Sequence, residues 1–380
     1  MKKLFYAGIA LLVLFELANV WFIMPLPFSQ RVRSIDIAYF LYGWRWLFRG
    51  VAAALIAVGL RGAWRVPGWR KIGVVASVLL AAVVTYMTNF VMSADKMFLA
   101  PASLVMRPAA QNTVDAKRLV VGVEIDGEAR AYPVQFIGYH HQVRDTVAGI
   151  PVMVSFCTVC RTGRVFSPNV DGKTQTFRLV GMDHWNAMFE DSETKSWWRQ
   201  ANGEAIAGPK KGAALAEIPS RQVTLAQWLA LHPGSLIMQP DAALQSKYSN
   251  SFDFETGASR STLTGTDTAS WHDKSWVVGI THHRESRAYD WNRLLRERVI
   301  NDQLGRAPIV LALASDGASF FAFVRPDSAT AFAIRNDSLV AGDQAYALTG
   351  KGVSGALVPL DASQEFWHSW RTFQPATSRY

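Results

Sequence analysis

The chain begins with three long apolar runs, and shorter apolar segments separated by polar turns follow them. The three runs cover residues 4–24, 38–60 and 72–92, and each reaches the roughly 20 residues that a transmembrane helix needs. The first run has a basic start, but no small-residue cleavage site follows it, as one would in a signal peptide. The pattern predicts a three-helix transmembrane region over residues 1–93.

Composition and charge agree with a membrane-anchored protein. Hydrophobic residues make up 50% of the chain and charged residues 18%, whereas a soluble globular protein has about 25% charged residues. The net charge is +9, and most of the excess lies beside the apolar runs. Because the basic residues flank membrane segments, we exclude a nucleic-acid-binding protein and expect the lipid bilayer as a partner. The sequence names neither a small-molecule substrate nor a protein partner.

The same basic residues predict an orientation, because cytoplasmic loops hold the excess of lysine and arginine. Only Arg31 and Arg33 lie in the loop after the first run. The larger set falls on the opposite side: Lys2, Lys3, Arg61, Arg65, Arg70 and Lys71. We therefore expect a protein of the inner (cytoplasmic) membrane with a cytoplasmic N-terminus. The chain after residue 93 is then extracytoplasmic, and periplasmic in a Gram-negative cell.

One acidic residue lies inside the first run. Glu16 precedes the outer end of that run by eight positions, and Arg45 follows the outer end of the second run by seven. At about 1.5 Å per residue the two are at similar depth, and a lone charge in lipid is costly. We expect Glu16 and Arg45 to pair between helices. The alternative is a protonated Glu16, with Arg45 and Arg49 extending outward to the interface.

The outer part of the chain contains an internal repeat. At an offset of 157, Val120-Val121-Gly122 recurs as Val277-Val278-Gly279, and Arg130-Ala131-Tyr132 recurs as Arg287-Ala288-Tyr289. A second block matches at an offset of 142, where Trp228 meets Trp370. The pattern predicts two homologous halves.

Within each half, short apolar segments and turn signals indicate a strand-rich α+β fold. Strands are expected over Leu119–Ile125, Ala129–Pro133 and Pro151–Phe156, and helices over Gln135–Arg144 and Thr224–Leu231. The predicted fold class is therefore α+β, with an N-terminal three-helix transmembrane region followed by a duplicated extracytoplasmic domain. The expected boundaries are a first repeat over 94–240, a linker over 241–272 and a second, shorter repeat over 273–380.

Polar residues that occur in only one copy are the better site candidates, because residues kept in both copies serve the shared fold. Arg130 and Asp145 occur in both copies and are interpreted as structural. The first copy alone has the adjacent pair His140-His141 and the motif Cys157-Thr158-Val159-Cys160. His184 lies in a stretch with no clear counterpart. The remaining histidines, including His272, His282, His283 and His368, are interpreted as ordinary surface or core residues.

A C-x-x-C pair can do three kinds of chemistry. It can bind a metal through thiolates with histidine as a further ligand, it can cycle between dithiol and disulfide, or it can form a static disulfide in an oxidising compartment. Arg161 and Arg164 follow the motif and would favour a thiolate. Thiolate and imidazole ligands select copper or zinc over magnesium or calcium. Adjacent histidines point in different directions, so only one of His140 and His141 would bind the same ion.

The outer part resembles the family catalogued as domain of unknown function 3179, over about residues 97–380. The residues that support the resemblance are Gly127 to Pro133, His140, Asp145, Gly149, Cys157, Cys160, then Asp191, Thr194, Ser196, Trp198, Gln200, Gly203 to Ile206 and Gly208-Pro209. The chain departs from the family pattern at His141, Arg144 and Thr158. The resemblance implies a mostly extracytoplasmic domain and supplies no reaction.

The sequence therefore predicts a membrane-anchored extracytoplasmic protein with a site in its first repeat. The leading interpretation is a copper or zinc site in a binding or redox role, with ligands Cys157, Cys160 and His140, and with His184 or His141 as further candidates. One alternative is a thiol–disulfide oxidoreductase. Another is a non-catalytic module of a membrane assembly with a structural disulfide.

Overall fold

The computed structural model describes residues 1–32, 34–353 and 355–380. Arg33, which entered the orientation argument, lies outside the described residues. The chain forms two compact units, described separately below. Unit 1 comprises residues 1–99, 176–199 and 204–213, and unit 2 comprises residues 100–175, 200–203 and 214–380. The division into units does not follow the predicted boundaries at residues 94, 241 and 273. The two repeats therefore stay a prediction.

The helices of unit 1 include three that are long and apolar enough to span a membrane: Lys2–Trp21, Arg45–Trp64 and Gly68–Val91. The last of these comprises a short 3-10 turn (Gly68–Arg70), the helix Lys71–Tyr86 and a π-helical turn (Met87–Val91). Shorter helices are Ser29–Arg31, Ile35–Gly43 and Ala94–Met97.

The second apolar run is divided, contrary to prediction. The helix Ile35–Gly43 ends at Trp44, and a separate helix begins at Arg45. The spanning helix is therefore displaced from the predicted 38–60 toward the C-terminus. Because this helix begins at Arg45 and not at residue 38, Arg45 lies at its first turn and Arg49 lies about one turn further in.

Glu16 pairs with Arg49 and not with Arg45. The Glu16 side chain is fully buried, and Arg49 Nε donates to Glu16 Oε1 at 2.7 Å. Asn89 and Thr88, both in the π-helical turn, donate to Glu16 Oε2 at 2.9 and 3.3 Å. Arg45 donates instead to the carbonyl oxygen of Tyr42. The prediction of an intramembrane pair named the wrong arginine, because the break at Trp44 moves Arg49 to the depth expected for Arg45.

Unit 1 also contains a four-stranded antiparallel sheet, which packs on the helix Ile35–Gly43 and on Phe22 and Ile23, just after the first helix. Its strands, in sheet order, are Ala205–Ala207, Trp197–Arg199, Asn186–Asp191 and Phe177–Asp183. Met188, Trp197 and Ala207 form a core with Ala38. Met182 N donates to the carbonyl oxygen of Ile23 at 2.7 Å, which attaches the sheet directly to the end of the first spanning helix.

The first half of unit 2 contains a five-stranded sheet and a three-stranded sheet. The five-stranded order is Met106–Pro108, Leu236–Met238, Glu128–Pro133, Leu119–Ile125, Arg221–Thr224; the three-stranded order is Gln142–Val147, Ile150–Cys157, Thr162–Phe166. A small hairpin joins Asn169–Val170 to Lys173–Thr174. The helices are Ala109–Gln111, Val134–His140 and Leu225–Leu231. Thr224 caps the last helix through Gln227 N, as its sequence position predicts.

The second half of unit 2 begins with a sheet in the order Ala362–Phe366, Trp276–His282, Glu285–Asp290, Ser378–Arg379. A second sheet has the order Val299–Leu304, Ala307–Leu313, Phe320–Val324, Val358–Pro359. A meander follows: Ala333–Arg335, Ser338–Ala341, Gln344–Ala347, Lys351–Gly352, Gly355–Ala356. The helices are Trp291–Glu297 and Trp367–Phe373. The structure thus confirms a strand-rich α+β class.

Equivalent hydrogen bonds occur in the two halves at the offsets found in the sequence. Tyr132 donates to Asp145 at 2.7 Å, and Tyr289 donates to Asp302 at 2.9 Å. The main sheets share a strand order. In the first half, the hairpin of Leu119–Ile125 and Glu128–Pro133 lies between Arg221–Thr224 and Leu236–Met238. In the second half, the hairpin of Trp276–His282 and Glu285–Asp290 lies between Ala362–Phe366 and Ser378–Arg379. In each half an indole lies over a strand glycine: a Cβ at Gly122 would meet Trp228 at 2.4 Å, and one at Gly279 would meet Trp370 at 2.1 Å.

The segment 241–272, predicted as a linker, contains the short helices Ala242–Lys247 and Asp253–Thr256. Glu255 of this segment is buried and pairs with Arg118 at 2.8 Å. Tyr248 is buried as well. The segment therefore packs on the first half of unit 2 and forms part of its structure.

Candidate functional site

The C-x-x-C motif forms the connection of a β-hairpin in unit 2. The strand Ile150–Cys157 ends at the first cysteine, and Cys157 pairs in register with Thr162 at the start of the next strand. Arg161 closes the turn with a φ of 58°. Both cysteine side chains are fully buried, and within the described residues no disulfide joins them. The sequence prediction of a turn into a strand after the motif is confirmed.

The second half of unit 2 packs against this motif. Phe366 N donates to the carbonyl oxygen of Cys160 at 2.9 Å. Lys274 Nζ donates to the carbonyl oxygen of Val159 at 2.8 Å, and His368 Nε2 lies 3.1 Å from the same oxygen. Three parts of the second half therefore contact the cysteine loop of the first half: the segment before Trp276–His282, the end of the strand Ala362–Phe366, and the helix Trp367–Phe373.

Lys274 provides the positive charge beside the two cysteines. Burial lowers its pKa below the ordinary lysine value, while the charges of Cys160 and Cys157 act in the opposite direction. A lysine ammonium beside a cysteine is the arrangement that favours thiolate over thiol in proteins.

His368 does not add a second charge at neutral pH. Burial, followed by the neighbouring Lys274, lowers the pKa of His368 to about 4. Its Nε2 is 3.4 Å from Lys274 Nζ. A neutral imidazole beside the ammonium leaves Lys274 as the cation of the site.

The two arginines expected to favour a thiolate are directed elsewhere. Arg161 donates to Gln364 Oε1 at 2.8 Å and to the carbonyl oxygen of Phe254 at 2.7 Å. Its guanidinium lies 3.7 Å from the Trp276 ring centre. Arg164 pairs with Glu217 and Glu365. These arginines hold the two halves of unit 2 together, and Lys274 is the cation that interacts electrostatically with both cysteines.

The histidine pair lies beside the strand that leads to the motif. His140 ends the helix Val134–His140, and its Nε2 is 2.8 Å from the Tyr248 hydroxyl. The carbonyl oxygen of His141 accepts from Phe156 N at 3.0 Å, one residue before Cys157. Burial lowers the pKa of His141 to about 4, so His141 is neutral near pH 7.

His184 belongs to unit 1, where its Nδ1 lies 2.6 Å from Asp183 Oδ1. Among the residues that the structure describes, no group of three or more His, Cys, Asp and Glu side chains is arranged to hold a metal ion. The five candidate residues therefore do not form a ready metal cage.

Sequence reasoning missed Lys274 and His368. Lys274 faces Lys117 at the offset of 157, so comparison of the two copies assigns it to the shared fold. His368 faces Ala226 at the offset of 142 and is therefore present in only one copy. The presence of a histidine in one copy alone is therefore the signal that distinguishes His368, as it distinguishes Cys157 and Cys160.

A cavity of about 390 Å³ reaches the middle of the motif. Its wall includes Thr158, Gly138 and Tyr139 on one side and Phe254, Ser259 and Thr264 on another. This cavity therefore meets the cysteine loop at Thr158.

The sequence matches the family described as protein of unknown function (DUF3179) over residues 101–377. The chain belongs to the DUF3179 family. No curated protein and no solved structure matches the chain.

Several residues that support the DUF3179 resemblance have structural roles in this chain. Arg130 NH1 binds both oxygens of Asp145 at 2.9 Å. Asp191 accepts hydrogen bonds from Thr194 and Trp198. Gln200 Nε2 donates to the carbonyl oxygen of Thr162 at 2.9 Å, directly behind the cysteine hairpin. Of these residues, Gln200 supports the hairpin that contains the C-x-x-C motif of the DUF3179 chain.

Proposed function

We propose that this DUF3179 protein is a membrane-anchored extracytoplasmic protein whose outer part contains a dithiol/disulfide redox centre at Cys157 and Cys160. The observation on which this proposal rests is the Lys274 ammonium, which is bound to Val159 between the two cysteines and is electrostatically coupled to both. Thiolate is the reactive form of cysteine, and a neighbouring cation favours it.

The reaction is thiol–disulfide exchange with a partner molecule that contains a disulfide or a dithiol. In the oxidising direction for the partner, a partner thiolate attacks the Cys157–Cys160 disulfide and a mixed disulfide forms. A second partner thiolate then attacks the mixed disulfide, the partner disulfide forms, and both cysteines leave as thiolates. Lys274 stabilises the reduced centre, which makes the centre a stronger oxidant.

The burial of both cysteines limits which molecules react. A partner must approach through the cavity at Thr158 or after a local opening of the loop. Exchange with a bulky reagent in the folded protein is therefore expected to be slow, and a fitting partner would gain specificity from this restriction.

Copper or zinc binding is the competing function. Zinc sites use four ligands, commonly thiolates and imidazoles, and the candidate residues do not supply such a set. Two soft thiolates alone favour Cu(I) among the metals considered. Copper on Cys157 and Cys160 is therefore the form of the metal hypothesis that the geometry favours, and zinc with His140, His141 or His184 is the less favoured form.

We also propose that unit 1 anchors the chain in the cytoplasmic membrane with the N-terminus inside. The three spanning helices support the anchoring, and the distribution of basic residues supports the orientation. Cys157 and Cys160 would then lie in an oxidising compartment, where a dithiol/disulfide centre can be reoxidised.

The repeated offsets and the equivalent hydrogen bonds support a common origin for the two halves of unit 2. Backbone bonds match pairwise: Phe156 N to His141 O in the first half, and Leu313 N to Arg298 O in the second. We infer that an ancestral unit was duplicated and that the cysteines are confined to one copy.

The test is a redox titration of the full chain purified in detergent. The protein is equilibrated with mixtures of reduced and oxidised glutathione, and with mixtures of reduced and oxidised dithiothreitol for the lower potentials. Its thiols are then trapped with an alkylating reagent, and intact mass is measured. Both thiols should disappear together in a two-electron step that the Cys160→Ser variant lacks. A centre that stays fully reduced or fully oxidised throughout would contradict the redox proposal.

Elemental analysis of the same preparation, purified without a histidine tag or chelator, distinguishes the metal function. One equivalent of copper in the wild type that is absent from Cys157→Ser would show that copper binding, and not redox exchange, is the function of the site. One equivalent of zinc would favour the site predicted from the sequence.

A further inference from the structure

A histidine–aspartate pair in unit 1 lies outside the cysteine site. His184 Nδ1 is 2.6 Å from Asp183 Oδ1, and Asp183 is buried. An ionised carboxylate can only accept, so Nδ1 carries the hydrogen, and in the neutral form of the imidazole the lone pair of the ring is then on Nε2. The His184 side chain is 19% exposed. The pair therefore presents a hydrogen-bond acceptor whose tautomer is fixed by the carboxylate behind it.

The backbone under this pair is unusual for its sequence. His184 and Trp185 form the two-residue turn between the strands Phe177–Asp183 and Asn186–Asp191, and both have positive φ, 50° and 65°. Such turns favour Asn-Gly or Asp-Gly. The chain uses Asp126-Gly127 and Asp171-Gly172 at two other hairpin turns with positive φ. Two bulky side chains in this position indicate a role for them other than turn formation.

The charges around the pair favour a cationic ligand. Arg199 donates to Asp183 Oδ2 at 2.8 Å and to Glu204 Oε2 at 2.7 Å. The two carboxylates of Asp183 and Glu204 outnumber the one guanidinium of Arg199 in this network. A partly exposed acceptor beside such a network suits a donor that is positively charged, such as a primary ammonium.

The turn is fixed to the end of the first spanning helix. Trp185 N donates to Gln30 Oε1 at 3.1 Å, and Gln30 in turn donates to the carbonyl oxygen of Met24. Ile23, two residues after the helix Lys2–Trp21, accepts from Met182 N. Helix ends lie at the level of lipid head groups, and tryptophan is enriched there. The pair is therefore placed at head-group height.

We propose that His184 and Asp183 form a binding site for the primary ammonium head group of a membrane lipid, with His184 Nε2 as the acceptor. The site requires the membrane anchoring proposed above but not the redox activity of the cysteines. A trimethylated head group has no N–H to donate and would not be held in the same way.

The experiment compares lipids added to the full chain in detergent. Dioleoyl phosphatidylethanolamine and dioleoyl phosphatidylcholine differ at the head-group nitrogen, and the unfolding temperature is read for each. The ammonium lipid should raise the unfolding temperature of the wild type by at least about 2 °C more than the trimethylated lipid does. The variant His184→Asn should lose this difference. It should still fold, because asparagine accepts positive φ readily.

The matched control is His283→Asn, which changes a histidine with φ 53° in another hairpin turn and should keep the lipid preference. Soluble phosphoethanolamine is the second arm, and an equal effect from it would identify a soluble ligand and overturn the lipid assignment. Equal responses of the wild type to both lipids, or a preference retained in His184→Asn, would overturn the site. Recovery of the chain outside the membrane fraction would instead contradict the anchoring proposal.

Discussion

Lys274 Nζ donates a hydrogen bond to the carbonyl oxygen of Val159 at 2.8 Å, across 115 positions of sequence. Through this bond the second half of unit 2 supplies the charge for the cysteine loop of the first. The counterpart of Lys274 in the first half is Lys117, on the wall of a cavity of about 820 Å³ that also reaches Asp316 and Gly317. The corresponding loop there has Ala314 and Gly317 in place of the cysteines.

The first prediction concerns the pH profile of cysteine alkylation. Replacing Lys274 with methionine removes the cation beside Cys157 and Cys160, so thiolate becomes less favoured. We expect the alkylation rate near pH 7 to fall about tenfold, since one pKa unit corresponds to a factor of ten. Iodoacetamide labelling followed by intact mass measures it. Lys117→Met is the control and should match the wild type; an unchanged profile in Lys274→Met would argue against the coupling.

The second prediction concerns acid stability. Burial lowers the pKa of His368 to about 4 from an ordinary value of 6.5. As the pH falls below 6.5, His368 is protonated in the unfolded chain, but in the folded chain it stays neutral down to about pH 4. Protonation therefore favours the unfolded state, and the free energy of unfolding falls between about pH 6.5 and pH 4. Between pH 7.5 and 5 the wild type should lose about 2 kcal/mol more than His368→Gln. Chemical unfolding at both pH values measures this, with His283→Gln as the control; equal losses in all three proteins would refute it.

The third prediction concerns the intramembrane pair. Arg49→Met leaves Glu16 buried without its cation, and we expect a loss of about 3–5 kcal/mol. The double variant Glu16→Gln, Arg49→Met should recover part of this loss, because no unpaired charge remains. The free energy of unfolding of the wild type, the single variant and the double variant in mixed micelles measures these changes. Arg45 donates to the carbonyl oxygen of Tyr42 and lies over the Tyr42 ring, so Arg45→Met should change stability less than Arg49→Met does. A larger effect at Arg45 than at Arg49 would support the pairing of Glu16 with Arg45.

The fourth prediction concerns two equivalent glycines. A methyl group at Gly122 or at Gly279 would overlap the indole of Trp228 or Trp370. Each glycine-to-alanine change should destabilise unit 2 by about 1–3 kcal/mol through overpacking. Gly234→Ala is the control, since nothing lies within 4 Å of its added Cβ. Thermal unfolding that leaves Gly122→Ala and Gly279→Ala at the control value would show that the indoles move freely.

The fifth prediction concerns the turn at His184. Replacing His184-Trp185 with Asn-Gly relieves two positive-φ residues and should stabilise the protein by about 1 kcal/mol. The reverse exchange, Asp126→His with Gly127→Trp, should destabilise it. The temperatures of half-unfolding of the two double variants, compared with the wild type, measure both effects. A loss of stability on the Asn-Gly exchange would mean that the bulky side chains stabilise the turn through packing.

Local patterns identified most of the individual elements. The strand Leu119–Ile125 and the cap at Thr224 follow from apolar alternation and capping chemistry, which depend on neighbours in sequence. The helix expected over Gln135–Arg144 is shorter, Val134–His140, because Gln142 starts a strand that pairs with Ser155. Pairing between distant segments ended that helix, and no local signal specifies it.

The sequence alone determined three apolar runs long enough to span a membrane, the strand-rich class, the two offsets at which residues recur and the cysteine motif. Apolar periodicity and internal comparison are properties of the chain as written. Only the tertiary structure decided which residues surround the motif. Lys274 and His368 reach Val159 through packing of one half on the other, and Arg49 reaches Glu16 through a helix break at Trp44. Such contacts depend on the three-dimensional positions of segments far apart in sequence, so residue type and spacing could propose their chemistry but could not choose the partners.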